Sequence, residues 1–178
     1  ENVANNRTTL KRNFYLMNKR TIDHFTDRGP YAFVVPVKQR DPAAVSALIR
    51  LLQAEAADVE VATTSFIAGG NSYPPGTYVL RLAQPFGRWI KDILEPQKYP
   101  DIRWPSESSP FDKPYDVTAW SLGMLMGVET IQIDSPFEVT LRQLTNDAQA
   151  PPGRVKGTGD TFVISHNTNR SFTALNRL

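Results

Sequence analysis

The chain has 178 residues, 40% of them hydrophobic, which is enough for one domain with a real core and excludes wholesale disorder. Its 20 basic and 18 acidic residues leave a formal charge of +2, and no Lys/Arg run exceeds two, which argues against nucleic acid as a partner. Cysteine is absent, so disulfides, thiolate nucleophiles and sulfur-ligated zinc are excluded, and no apolar run approaches the ~20 residues that span a bilayer.

Residues 1–28 are polar, with Leu10, Phe14, Leu16, Met17 and Ile22 forming one broken apolar stripe. They read as a loose helical lead-in from an upstream domain, ended by Gly29-Pro30. Ala32-Phe33-Val34-Val35 is a short apolar, β-rich run, the look of a strand buried on both faces. Asp41 then offers its carboxylate to the first free N–H groups of a helix, and Pro42 follows where a donor would be wasted. Val45, Leu48, Ile49 and Leu52 recur at helical spacing to about Ala57, and Val59 to Thr63 reads as the next strand. Strand, capped helix and strand within about thirty residues suggest a βαβ unit with neighbouring parallel strands.

Gly69-Gly70-Asn71 and Pro74-Pro75-Gly76 are predicted turns, and Thr77 to Leu82 a strand. A second helix is expected from about Gln84-Pro85, with Phe86, Trp89, Ile90 and Ile93 on one face and a stop at Pro96. Residues 99–114 carry prolines at 100, 105, 110 and 114 and read as a long loop. Tyr115-Asp116 opens a third helix through about Met126, with Gly127 as its C-cap. Val128 to Ile133 and Phe137 to Leu141 alternate like strands, Ala150 to Gly153 is a linker, and Thr161 to Ser165 is a last strand. Asn169 is expected to cap a helix still running at Leu178, and the polar start at Glu1 suggests a piece of a longer polypeptide. The fold class read from this pattern is α/β: a mainly parallel open sheet with flanking helices, flavodoxin-like or glutamine-amidotransferase-like. The expected divisions are 1–28 as lead-in, 29–149 as an α/β domain, and 150–178 as linker and start of a further βα unit.

The candidate chemistry is sparse. His24 and Asp27 with a distant His166 have the ligand logic of a zinc peptidase, two ligands on adjacent turns and a third from elsewhere. Asp27 is one methylene shorter than the usual Glu, and the pair sits in the polar lead-in, so two unrelated surface histidines are the preferred reading. Gly157-Thr158-Gly159-Asp160 precedes a predicted strand and does not open a helix, which argues against a phosphate cradle. Asn6-Arg7-Thr8 and Asn169-Arg170-Ser171 fit the glycosylation triplet. Ser65, Ser121 and Ser165 lack a nucleophile elbow, Trp89 and Trp120 fall at core spacing, and Asp116 is better placed to cap a helix than to do acid–base work. No catalytic, cofactor-binding or metal-binding residue is therefore assigned.

Four blocks carry a family resemblance: Gly29 to Leu52 with Ala57 to Phe66, Ser72 to Asp101, Pro114 to Thr130, and more thinly VISHNTNRSFTALNRL. Together they resemble the region after the peptidase domain in large, exported bacterial zinc carboxypeptidases of the M14 family. The resemblance implies a parent hydrolase that removes C-terminal residues from peptides, with zinc held upstream by H-x-x-E and a later His. It implies a secreted or periplasmic location, and the upstream peptidase domain of the same polypeptide as partner. It carries no catalytic residue and no cofactor onto this segment. The family's later region is itself similar to class I glutamine amidotransferases, whose nucleophilic Cys is missing here. Three readings follow: an accessory domain beside a peptidase, a small-molecule-binding α/β module using loops such as Thr64 to Asn71, and a self-contained metallopeptidase using His24, Asp27 and His166.

Overall fold

Ala32–Val35 (β1) is buried at every position, because both faces of its sheet are covered. The computed structural model describes residues 2–113, 121–146 and 148–178. Two helices precede β1, the short α1 (Asn2–Asn5) and the 21-residue α2 (Arg7–Asp27). After β1 come α3 (Pro42–Ala54), β2 (Glu60–Ala62), β3 (Phe66–Ala68), β4 (Asn71–Tyr73), β5 (Tyr78–Arg81) and α4 (Gly87–Leu94). The chain continues with α5 (Leu122–Met126), β6 (Ile131–Ile133), β7 (Leu141–Gln143) and α6 (Asn169–Leu175).

Five strands form one sheet in the order β6-β1-β5-β2-β7, and every neighbouring pair is antiparallel. The architecture is mixed helix and sheet, and the expected parallel pairing is corrected. β1 and β2 do run in the same direction across α3, but β5 lies between them and opposes both, with Phe33 opposite Leu80 and Glu60 opposite Val79. The mainly parallel flavodoxin-like or amidotransferase-like sheet is thus not what these strands form. The apolar run at β1 reports burial on two faces, and burial on two faces does not by itself set strand direction.

The sheet separates two cores. On the helical side, Phe33, Val35, Val59, Leu80 and Leu82 meet Val45, Leu48, Ile49 and Leu52 of α3, Ile90 and Leu94 of α4, and Phe25 of α2. On the other side, Ala32, Val34, Ala62, Val79 and Ile133 meet Phe66, Ala68 and Tyr73. Phe66 stacks on both Tyr73 and Phe137. Phe66, Ala68 and Tyr73 come from the β3–β4 hairpin, whose register Phe66↔Tyr73 closes through Gly69 and Gly70, both at positive φ. The hairpin replaces the predicted loop at Thr64 to Asn71.

Local chemistry sets the helix ends. Asp41 Oδ1 accepts from the N–H groups of Ala43 and Ala44, at 3.0 and 3.2 Å, and Pro42 occupies the first helical position, as expected. The helix stops at Ala54, three residues earlier than predicted, where Ala56 turns into the left-handed region at φ 61°. α4 begins at Gly87, where the backbone passes so close to the Leu82 carbonyl oxygen that a Cβ would lie 1.9 Å from it, so only glycine fits. Its buried face is Gly87, Ile90 and Leu94 with Trp89 and Ile93 half-buried, whereas Phe86 is exposed against expectation. Gly127 ends α5 in the left-handed conformation, as predicted. The proposed start of that helix at Tyr115-Asp116, and with it Trp120, lies outside the described residues.

Residues 99–113 form the expected loop, pinned by an Arg103–Phe111 bridge and an edge-to-face Tyr99–Phe111 contact. Phe137, Val139 and Leu141 alternate inward as predicted, but the ladder with β2 holds only Leu141–Gln143. The predicted last strand at Thr161 to Ser165 is instead exposed coil: among the described residues no segment is paired with it, so its apolar residues have no face to enter. α6 starts after Thr168 and ends at Leu175, so Asn169 is inside the helix and not its cap.

Candidate functional site

His24 and Asp27 both lie in the last turn of α2, the imidazole half-buried and edge-on to Phe25, the carboxylate exposed. His24 faces an open cleft of about 300 Å³ between the end of α2 and α4, lined also by Pro30, Arg88, Lys91, Asp92 and Glu95. Asp27 and His166 do not line it. His166 lies in exposed coil ahead of α6, which packs on α3 and not on α2's cleft. Among the described residues no three His, Asp or Glu side chains converge where a metal would be held. His24 and Asp27 thus share one turn of α2, and His166 lies ahead of α6 on the α3 side.

The cleft's charges are partly spent on one another. Lys91 and Glu95 form an i,i+4 ion pair, and the Glu95 carbonyl accepts from Ser121 Oγ at 2.6 Å. Ser121 is buried, and that bond ties the start of α5 to the end of α4. Ser65 is exposed just before β3, and Ser165 accepts from the Asn167 N–H.

A second open cleft, of about 370 Å³, lies between α3, α5 and α6, with Asp41, Arg50, Leu125, Met126 and Arg170 along it. Asp41 is buried there, and its carboxylate accepts a third backbone N–H, from Asn169 at 3.0 Å. One side chain therefore caps α3 and anchors the start of α6, 128 residues away in the chain.

Three glutamines whose roles no local pattern signals complete the polar framework. Gln84 is buried: its Oε1 accepts from the Asp58 N–H at 2.7 Å, and its Nε2 donates to the carbonyls of Asp58 and Arg81 at 3.1 and 2.6 Å. Gln39 does the same for Glu129, donating to its carbonyl and accepting from its N–H. Gln53 donates to the Leu144 and Asn146 carbonyls. The Gln84 and Gln39 amides each act as a one-residue strand, pairing a backbone N–H and a carbonyl where two segments meet without a ladder, whereas Gln53 only donates. Each of the three reaches a segment 26 to 93 residues away, so periodicity and capping rules cannot expose them.

Behind the sheet, burial raises the Tyr73 phenol above its ordinary pKa; the nearby Asn71 side chain opposes part of this, and the Glu129 charge adds slightly. The hydroxyl itself has no partner of hydrogen-bond geometry among the described residues. Gly157-Thr158-Gly159-Asp160 lies in exposed coil and opens no helix. The small-molecule crevice expected at the carboxyl ends of parallel strands loses its basis with the antiparallel sheet, and Phe66 and Ala68 of its lining loop are core. No family model matches the chain, and no curated protein or solved structure matches it either.

Proposed function

We propose that this chain is a non-catalytic accessory domain of a secreted or periplasmic M14-type zinc carboxypeptidase, acting through structure or partner contact while zinc and peptide hydrolysis belong to a domain upstream. The sequence blocks between Gly29 and Thr130 motivate the family. The observation that carries the non-catalytic part is the commitment of the polar side chains best placed for chemistry. Asp41 holds three backbone N–H groups, Gln84 holds three backbone partners, Ser121 holds the end of α4, and Lys91 holds Glu95. These groups are engaged within the fold: the Asp41 carboxylate accepts from backbone N–H groups, the Ser121 hydroxyl donates to a carbonyl, and Lys91 is an ammonium paired with Glu95, which supports the non-catalytic reading. The amidotransferase-like parallel topology forms no part of the proposal, since the sheet is antiparallel.

The test compares the purified chain with a longer product that includes the coding region upstream of Glu1. The longer protein is expected to hold one zinc and to release C-terminal residues from a peptide with a free carboxylate. The 178-residue chain is expected to do neither. An upstream region without H-x-x-E and a later His, or one zinc per short chain lost in His166→Ala, would overturn the proposal.

A further inference from the structure

α2 over-runs the body it packs on. Thr21 and Phe25 are buried against the domain, Phe25 at 3% exposure beside Gly87 of α4. The same face continues toward the N-terminus as Met17, Phe14 and Leu10, at successive spacings of four, three and four residues, which keeps one side of a helix. These three are 56%, 63% and 47% exposed, and from residue 2 to residue 20 only Leu16 and Asn18 are as much as half-buried. An apolar stripe that begins in a core and continues into solvent across three further turns is half of an interface.

Its surroundings select the other half. By helical spacing Lys11 and Arg20 border the stripe on its two sides and Arg7 lies at its N-terminal end, while Arg12 and Lys19, the latter paired with Asp23, fall on the opposite face; no carboxylate occurs between residues 2 and 22, although the whole chain carries only +2. Two copies pairing through this stripe would bring Arg7, Lys11 and Arg20 of each together with no carboxylate beside them, which disfavours a homodimer. A flat lipid surface is blocked as well. The stripe faces the side on which Thr21 and Phe25 meet the domain, so the domain's own bulk stands between the exposed turns and any plane laid along them.

We propose that the Leu10–Phe14–Met17 face of α2 seats in an apolar trough edged by carboxylates on a folded protein domain lying alongside this one, namely the domain encoded immediately before Glu1. The occupant's identity rests on the accessory-domain reading above; the carboxylate-edged trough rests on the stripe and its cations alone. Phe14 is the anchor, central in the stripe and the most exposed of the three. The flanking cations set register and association rate, so the contact weakens with salt.

The upstream region is expressed as a separate polypeptide and titrated by calorimetry against the chain and against Leu10→Glu/Phe14→Glu/Met17→Glu. The same preparation is assayed for zinc and for release of C-terminal residues. Binding is expected, weakened at least tenfold between 50 and 500 mM salt and at least a hundredfold by the triple substitution. The variant's thermal unfolding should stay that of the parent, since these side chains are exposed. A zinc-bearing, active upstream polypeptide that does not bind refutes the docking face and leaves the accessory reading standing. Binding by a polypeptide without zinc or activity refutes the peptidase reading and leaves the docking face standing. Concentration-dependent dimers of the chain lost in the triple variant, or triple-sensitive adsorption to 3:1 phosphatidylcholine–phosphatidylglycerol vesicles, would put a second copy or a membrane on the stripe and overturn the proposal. Binding that the triple variant retains would do so too.

Discussion

Gln84→Met removes one amide and keeps nearly the same volume, so it isolates the hydrogen bonds that join the end of β5 to the segment before β2. The parent side chain makes three of them, to Asp58 N–H, Asp58 C=O and Arg81 C=O. Each bond contributes about 1 kcal/mol net, and the backbone groups left behind add to the cost wherever water cannot replace the amide. Asp58 is exposed, so solvent relieves part of that. The expected loss is about 2–4 kcal/mol. With a urea m-value of about 2 kcal/mol/M for a chain of this size, the unfolding midpoint should fall by about 1–2 M, followed by tryptophan fluorescence. Gln84→Glu sharpens the test. An ionised carboxylate would face two carbonyl oxygens, so its folded-state pKa rises above the ordinary value of about 4.3. Below that value the group is neutral in both states and the electrostatic penalty vanishes; as pH rises through the folded-state pKa the penalty grows to its full size. The Glu variant should therefore be less stable than the Met variant at pH 7 and recover toward it near pH 4. A Met variant within about 0.5 kcal/mol of the parent, or a Glu variant indifferent to pH, would show that this amide is not a joint of the fold.

Leu48 is fully buried between α3 and the sheet, and Leu48→Ala should cost about 2–5 kcal/mol in the same urea assay. Gly87→Ala would place a Cβ 1.9 Å from the Leu82 carbonyl oxygen and 3.1 Å from the Phe25 ring, so α4 must move. Its cost should exceed about 3 kcal/mol, and a soluble variant of parental stability would show that the approach is looser. Ala56→Gly relieves a left-handed alanine at φ 61° and should raise stability by about 0.5–1 kcal/mol, read as a higher midpoint. Tyr73→Phe deletes a buried hydroxyl without a partner and should be neutral or stabilising by up to about 1 kcal/mol at pH 7. Because burial raises the phenol's folded-state pKa, the parent should lose stability as pH rises past about 10, and the Phe variant should lack that slope.

What the sequence discloses about this fold is the set of surfaces that must be covered, and what it hides is which strand covers which edge. The Asp41-Pro42 cap, the Val45–Leu48–Ile49–Leu52 face and the Gly127 stop are local, and each is found where its own chemistry puts it. Strand order is not local. β5 enters between β1 and β2 from a segment beyond the β3–β4 hairpin, and only its pairing, Phe33 with Leu80 and Glu60 with Val79, excludes a parallel neighbour. The hairpin β3–β4 escaped for the opposite reason: three-residue strands around Gly69-Gly70 are too short to show alternation, and Phe66 declares itself only by stacking on Tyr73 and Phe137. At the tail, Thr161 to Ser165 has strand-like composition without a strand's partner, and composition alone does not supply one.

The candidate site separates along the same line. H-x-x-D is a spacing, and a spacing can place His24 and Asp27 on one turn of α2; it cannot deliver His166, which is attached to the α3 side of the molecule through Asn169 and Asp41. The residues that organise the polar interior are glutamines and one aspartate, types that sequence patterns rank as surface, and they are identifiable only from partners distant in the chain. The apolar residues of α2 present the reverse case. Leu10, Phe14 and Met17 read as a helix's buried stripe, and the stripe is real, but this domain covers only its last turns at Thr21 and Phe25. Burial that a pattern demands and a fold does not supply is a statement about a second body. On that ground α2, and not the His24 cleft, is where the function of this chain is best sought.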